Sequence, residues 1–178
     1  MDELFLIPTT PVAMPRGYWL GKDNFLSSQL VLIEPSEFEW QRVKAAIDHH
    51  DSNSFDMEIV NNLYGKSCLI LPHRQYDLLT GEFRSDKHES YLGSIEEVWD
   101  PKKILKEAKF IHFSDWPYPK PWLKASDRET QASQPKCHGS LSGEDCTDQQ
   151  IWLGLYKDFS DRRLVSVSRN IPCEVILD

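Results

Sequence analysis

A His, an Asp and a Lys stand close together in AKFIHFSDWPYPKPWLK, residues 108–124, among apolar and proline residues. His112 ends an apolar alternation and shares a strand face with Phe110. Two roles fit it. One is a strand-end imidazole hydrogen-bonded to backbone. The other is a metal ligand at the C-terminal end of a strand, where α/β sheets open their binding crevice. Lys120 sits between Pro119 and Pro121, with Pro117 just before. Proline fixes φ, so the ammonium is held in place. A divalent ion beside a fixed ammonium suits a diphosphate leaving group. The metal bridges phosphate oxygens, and the Lys neutralises charge that develops as the bond breaks. Asp115 either contacts that site or caps the turn, and capping is the favoured reading.

The second carboxylate of interest is Asp56, in FDMEIVNN. On its position alone it can cap a helix over 57–64. Glu58 falls in the first turn, where the helix dipole favours an acid. In SSQLVLIEPS, residues Ser27, Ser28 and Gln29 stand at the entry to an apolar run. The His49-His50-Asp51 cluster reads as a solvated helix end, because adjacent side chains do not converge on one ion. Cys137, His138 and Cys146 match no standard zinc spacing and read as a flexible loop. Four Cys are too few and too scattered for a disulfide scaffold. Arg16 and Arg74 suit a substrate contact or a strand-end cap equally.

The elements that must position these groups follow from periodicity. A strand is predicted over 29–33. Ser36 and Glu39 make a capping box for a helix over 37–48, with Trp40, Val43 and Ile47 on one face. The helix over 57–64 is expected to stop at Gly65. Strands are predicted over 67–71 and 109–113, with a short helix opened by Pro101 between them. A final helix carries Trp152, Leu155, Tyr156 and Phe159. Strands alternating with helices make the class α/β. The expected organisation is a main domain over 1–123, a flexible insert over 124–150 that is poor in apolar residues, and a helix with a tail over 151–178. Hydrophobic residues make up 40%, with six Trp, which argues for a packed core over disorder. The net charge of −8 disfavours nucleic acid as a partner, because nothing offsets phosphate repulsion. The chain has neither a basic apolar leader nor an apolar run long enough to span a bilayer.

HFSDWPYPKPW resembles the His-x-x-Gly…Lys-Pro-Trp element of family 8 glycosyltransferases, the glycogenin-like group. FDMEIVNN is similar to its Asp-Gln-x-x-Leu-Asn element, and SSQLVLIEPS to its Asn-Ser-Gly strand. The strings VAMPRGYWL and LPHRQYDLLTGEFR look especially like fungal nucleotide-diphospho-sugar transferases and N-acetylglucosaminyltransferases of the Golgi and secretory pathway. The resemblance implies the second half of a GT-A fold: an incomplete mixed sheet flanked by helices. It implies His112 as a Mn²⁺ ligand and Asp56 as the catalytic carboxylate. Ser27, Ser28, Gln29, Asn61, Asp115 and Lys120 become substrate contacts. The implied reaction moves a hexosyl or N-acetylhexosaminyl group from a UDP-sugar donor to a glycan acceptor.

The family also uses an Asp-x-Asp pair to hold metal and ribose. The nearest forms here are Asp56-Met-Glu58 and Asp127-Arg-Glu129. One neutral imidazole without paired carboxylates is a poor site for a hard ion. Transfer by this chain is therefore expected to be impaired. The alternative expectation is a non-catalytic truncated homologue that binds at most a sugar nucleotide or a partner.

Overall fold

The computed structural model describes residues 1–21, 24–140 and 143–168. The chain is mixed α/β, with small sheets flanked by helices. It divides into two compact units. One is Met1–Leu78 with Lys87–His112; the other is Leu79–Asp86 with the described residues from Phe113 onward.

The first unit is built on three strands in the order β2-β1-β3. β1 (Val12–Pro15) runs antiparallel to β2 (Leu32–Ile33) and parallel to β3 (Leu69–Leu71). Ala13 stands opposite both Leu32 and Leu69. β1 is buried along its whole length, because side chains alternate between two covered faces. Val12 and Met14 pack with Leu26 and Tyr64. Ala13 packs with Leu4, Leu71 and Tyr76 on the other side. Burying each large apolar side chain contributes about 1.5–3 kcal/mol. VAMP is therefore the central strand, although its flanking prolines and short length hide it in the sequence. The strand predicted over 29–33 shrinks to Leu32–Ile33 at the sheet edge.

α1 (Glu37–Asp48) lies where the capping box places it, and the Glu39 N–H donates to Ser36 Oγ at 3.4 Å. The Glu39 carboxylate does not return that bond. It takes Arg42 at 2.8 Å and the Tyr64 hydroxyl at 2.7 Å, which ties α1 to α2 (Asp56–Tyr64). Burial and the adjacent Glu39 carboxylate push the Tyr64 hydroxyl up to about 12. The expected apolar face of α1 is largely uncovered: Trp40 is 56% exposed, while Val43 packs on the core. Gly65 ends α2, as expected, in right-handed geometry. A Cβ there would lie 2.6 Å from the Asn61 carbonyl oxygen, so close approach makes glycine necessary.

Two short helices follow, α3 (His73–Tyr76) and α4 (Glu89–Leu92). Between them β4 (Leu78–Leu79) ends the first stretch of this unit, and the Leu78 N–H donates to the Phe110 carbonyl at 3.3 Å. α5 (Pro101–Glu107) starts on Asp100, whose carboxylate accepts the Lys102 and Lys103 N–H groups at 3.1 Å. Arg74 clamps Glu97 in a bidentate pair at 2.7 and 3.0 Å and also reaches Glu107 at 2.9 Å. β5 (Ile111–His112) closes the unit.

In the second unit, α7 (Thr147–Ser168) packs on a 3-10 turn over Thr80–Arg84. Ser126 and Glu129 form a reciprocal capping box at the start of α6 (Asp127–Ser133). A hairpin of β6 (His138–Ser140) and β7 (Gly143–Asp145) is bracketed by a Cys137–Cys146 disulfide. These elements occupy the segment read as a flexible insert. The crosslink brackets two short polar strands.

Candidate functional site

Five of the predicted residues meet in one corner of the first unit. Asn61, on α2, brackets Leu26 as a neighbouring strand would. Its Oδ1 accepts the Leu26 N–H at 2.7 Å, and its Nδ2 donates to the Leu26 carbonyl at 2.9 Å. The same amide nitrogen reaches the Met57 carbonyl at 2.8 Å. This clamp presents the next residues to the N-terminus of α2. There the Ser28 hydroxyl donates to Asp56 Oδ2 at 2.6 Å. Asp56 is the first residue of α2, and Phe55 holds the N-cap position. The capping role considered for Asp56 is thus corrected: Glu58 accepts the Phe55 N–H at 3.0 Å. Asp56 stays solvent-exposed with an oriented carboxylate.

Ser27 is fully buried; its N–H donates to the Pro15 carbonyl at 2.9 Å and its hydroxyl accepts the Gln29 N–H at 3.3 Å. Close by is a group that the sequence did not single out. Asp77 is fully buried, and neither of its oxygens has a hydrogen-bond partner at normal geometry. Burial raises its carboxyl to about 7, an effect that the Ser27 hydroxyl only partly offsets. Gln29 Oε1 is likewise buried without a partner. An acid followed directly by Leu78 and Leu79 was the available sequence signal for Asp77.

His112 lies half-buried on β5 at the end of the first unit. Among the described residues, the single cluster of three metal-ligating side chains is Cys137, Glu144 and Cys146. Its two sulfurs are joined to each other. Among the described residues, His112 belongs to no group of three metal-ligating side chains within reach of one another.

Asp115 and Lys120 belong to the second unit. Asp115 is 2% exposed and its carboxylate is filled by protein donors. Oδ2 accepts Trp152 Nε1 at 3.0 Å, the Tyr156 hydroxyl at 2.9 Å and the Thr80 hydroxyl. Arg84 stands 3.3 Å from Oδ1. Burial and this neighbouring carboxylate push the Tyr156 hydroxyl far above its usual range. The favoured turn role is present in the backbone, where the Asp115 carbonyl accepts the Tyr118 N–H at 2.7 Å. The side chain instead organises the core of the unit. The Lys120 ammonium donates to the Phe113 carbonyl and so closes the proline loop.

The chain is similar to curated fungal proteins named Glucose N-acetyltransferase 1. It is 53% identical to that of Gibberella zeae over 169 residues, which are 92% of this chain and 36% of the relative. It is 45% identical to that of Aspergillus fumigatus over 179 residues, 93% of this chain and 47% of the relative. The protein of that name in Saccharomyces cerevisiae is 26% identical over 182 residues. The chain thus matches between a third and a half of the length of the first two relatives. No family model and no solved structure matches. The expectation of hexosyl transfer from a UDP-sugar is overturned by these relatives, whose name specifies N-acetyl transfer and glucose. Over nearly its whole length, this chain is similar to fungal proteins that carry a transferase name.

Proposed function

We propose that the chain forms the sugar-holding part of a carbohydrate transferase, and that the group moved is acetyl. The observation that carries this reading is the 53% identity, over most of the chain, to a protein named as a glucose N-acetyltransferase. N-acetylation needs an amine nucleophile, which glucose lacks, so the fitting acceptor is a glucosamine unit at the end of a glycan. In that reaction the acyl bond of an activated acetyl donor breaks and a C–N bond forms. The amine loses a proton as the leaving group departs. Asp56, exposed and oriented by Ser28, is suited to accept that proton or to hold a sugar hydroxyl. The Asn61 clamp fixes both partners on rigid backbone.

The finer resemblance is carried in the same proposal: a GT-A-type arrangement, supported by the parallel β1–β3 pair. A secretory-pathway setting is supported by the Cys137–Cys146 disulfide, a bond that persists in oxidising compartments. Among the described residues no helix is long and apolar enough to cross a membrane.

The test incubates the protein with a glucosamine-terminated oligosaccharide and an isotopically labelled acetyl thioester, and reads product mass. A gain of one acetyl group is expected. Asp56→Asn should lower the rate about 100-fold or more, and Ser28→Ala should lower it less. Transfer of a whole sugar from an added sugar nucleotide, with no acetyl gain, would refute the proposal.

A further inference from the structure

A cavity of about 390 Å³ lies in the first unit, and of the candidate residues considered above only Arg16 is among its lining. It is lined in part by Arg16, Tyr18, His73, Glu89, Ser90 and Ser94. We propose that this pocket binds a neutral saccharide, one or two glucose-type rings. The proposal rests on the carbohydrate reading above but not on Asp56.

Aromatic contacts give the pocket a stiff apolar wall. The Tyr18 ring lies 5.1 Å from His73, at an interplanar angle of 31°, and meets Tyr91 edge-on at 5.1 Å. Trp19 backs it edge-on at 5.2 Å. The frame behind is fixed by hydrogen bonds. His73 Nε2 lies 2.7 Å from the Tyr91 carbonyl oxygen, and the Tyr91 hydroxyl donates to the Arg74 carbonyl at 2.9 Å. A pyranose presents an apolar C–H face that stacks on such a surface, while its hydroxyls need donors and acceptors at the rim. Arg16 supplies a donor, Glu89 an acceptor, and Ser90 and Ser94 supply both kinds.

Charge decides between ligand classes. Arg16 and Glu89 cancel, and the other four named lining residues carry no fixed charge. A phosphate-bearing ligand needs an excess of positive charge, which the described lining residues do not supply. Backbone completes the rim: Gly21 and Gly93 both stand at positive φ, 62° and 71°, with open space where a Cβ would be. A substrate ring can therefore approach the peptide groups directly.

The experiment titrates methyl glucoside and maltose into the full chain, without an acetyl donor, and follows backbone amide shifts. The amides of Tyr18, His73 and Ser94 should move together, with a Kd in the millimolar range. Glu89→Gln removes an exposed carboxylate without disturbing the core and should weaken binding at least tenfold. Ser94→Trp should fill the pocket and abolish binding. Unchanged affinity in Glu89→Gln, absence of saccharide binding, or tighter binding of inorganic phosphate than of maltose overturns the proposal. Saccharide binding at these amides with no acetyl transfer in the earlier assay sinks the catalytic reading and leaves the pocket standing.

Discussion

Replacing Asp77 with Asn should change how stability depends on pH. Asp77 is fully buried, neither oxygen has a partner at normal hydrogen-bond geometry, and burial, only partly offset by the Ser27 hydroxyl, raises its carboxyl from 3.8 to about 7. The folded state therefore holds this proton more tightly than the unfolded chain does. The stabilisation is fully present below pH 3.8, and it is lost as pH rises through about 7. The interval between 3.8 and about 7 corresponds to roughly 4 kcal/mol. For a chain of this size that is about 10 °C in melting temperature. Glu3 and Glu97 act in the opposite sense. Lys109 holds Glu3 down to about 2, and Arg74 holds Glu97 at about 2, so their stabilisation is lost only as pH falls below 4.5. Between pH 4.5 and 7 the slope belongs chiefly to Asp77. Asp77→Asn keeps size and polarity but cannot ionise. Urea unfolding of both proteins at half-unit steps of pH should give similar stabilities near pH 4. By pH 8 the variant should be the more stable by several kcal/mol. Parallel curves from pH 4 to pH 8 would show that the carboxyl finds a donor, and the argument from burial would fail.

Two further substitutions probe the polar clamps. Asp115→Ala should destabilise the second unit by about 3–5 kcal/mol, because Trp152, Tyr156 and Thr80 lose their shared acceptor inside the core. Loss of near-ultraviolet dichroism well below the wild-type melting temperature is the readout. Asn61→Ala should cost about 2–3 kcal/mol, since both backbone groups of Leu26 lose their partners. Hydrogen exchange at the Leu26 amide should accelerate about 30-fold or more, and unaltered exchange would show that water replaces the clamp at no cost.

The helices were the legible part of the fold. Ser36 announced α1, and Pro101 announced α5, because capping and proline effects depend on residues a few positions apart. The Asp56–Asn61 spacing likewise pointed to a corner that the fold assembles. The central strand was not legible. VAMP is four residues long, and it is a core strand only because β3 and α2, from more than forty positions away, cover it. The crosslinked strand pair was missed for a similar reason: polar composition reads as a loop, while the Cys137–Cys146 bond joins the ends of two paired strands.

Sequence alone determined the helix starts, the α/β class and the acidic balance. Those properties are local or compositional, so they survive without knowledge of the fold. Only tertiary structure decided that Asp115 serves the core, that Asp77 is buried without a partner, and that Tyr18, His73 and Glu89 line one cavity. Burial and partnership depend on which distant segments close over a side chain, and a carboxylate looks the same in the sequence whether it meets water, a donor or neither.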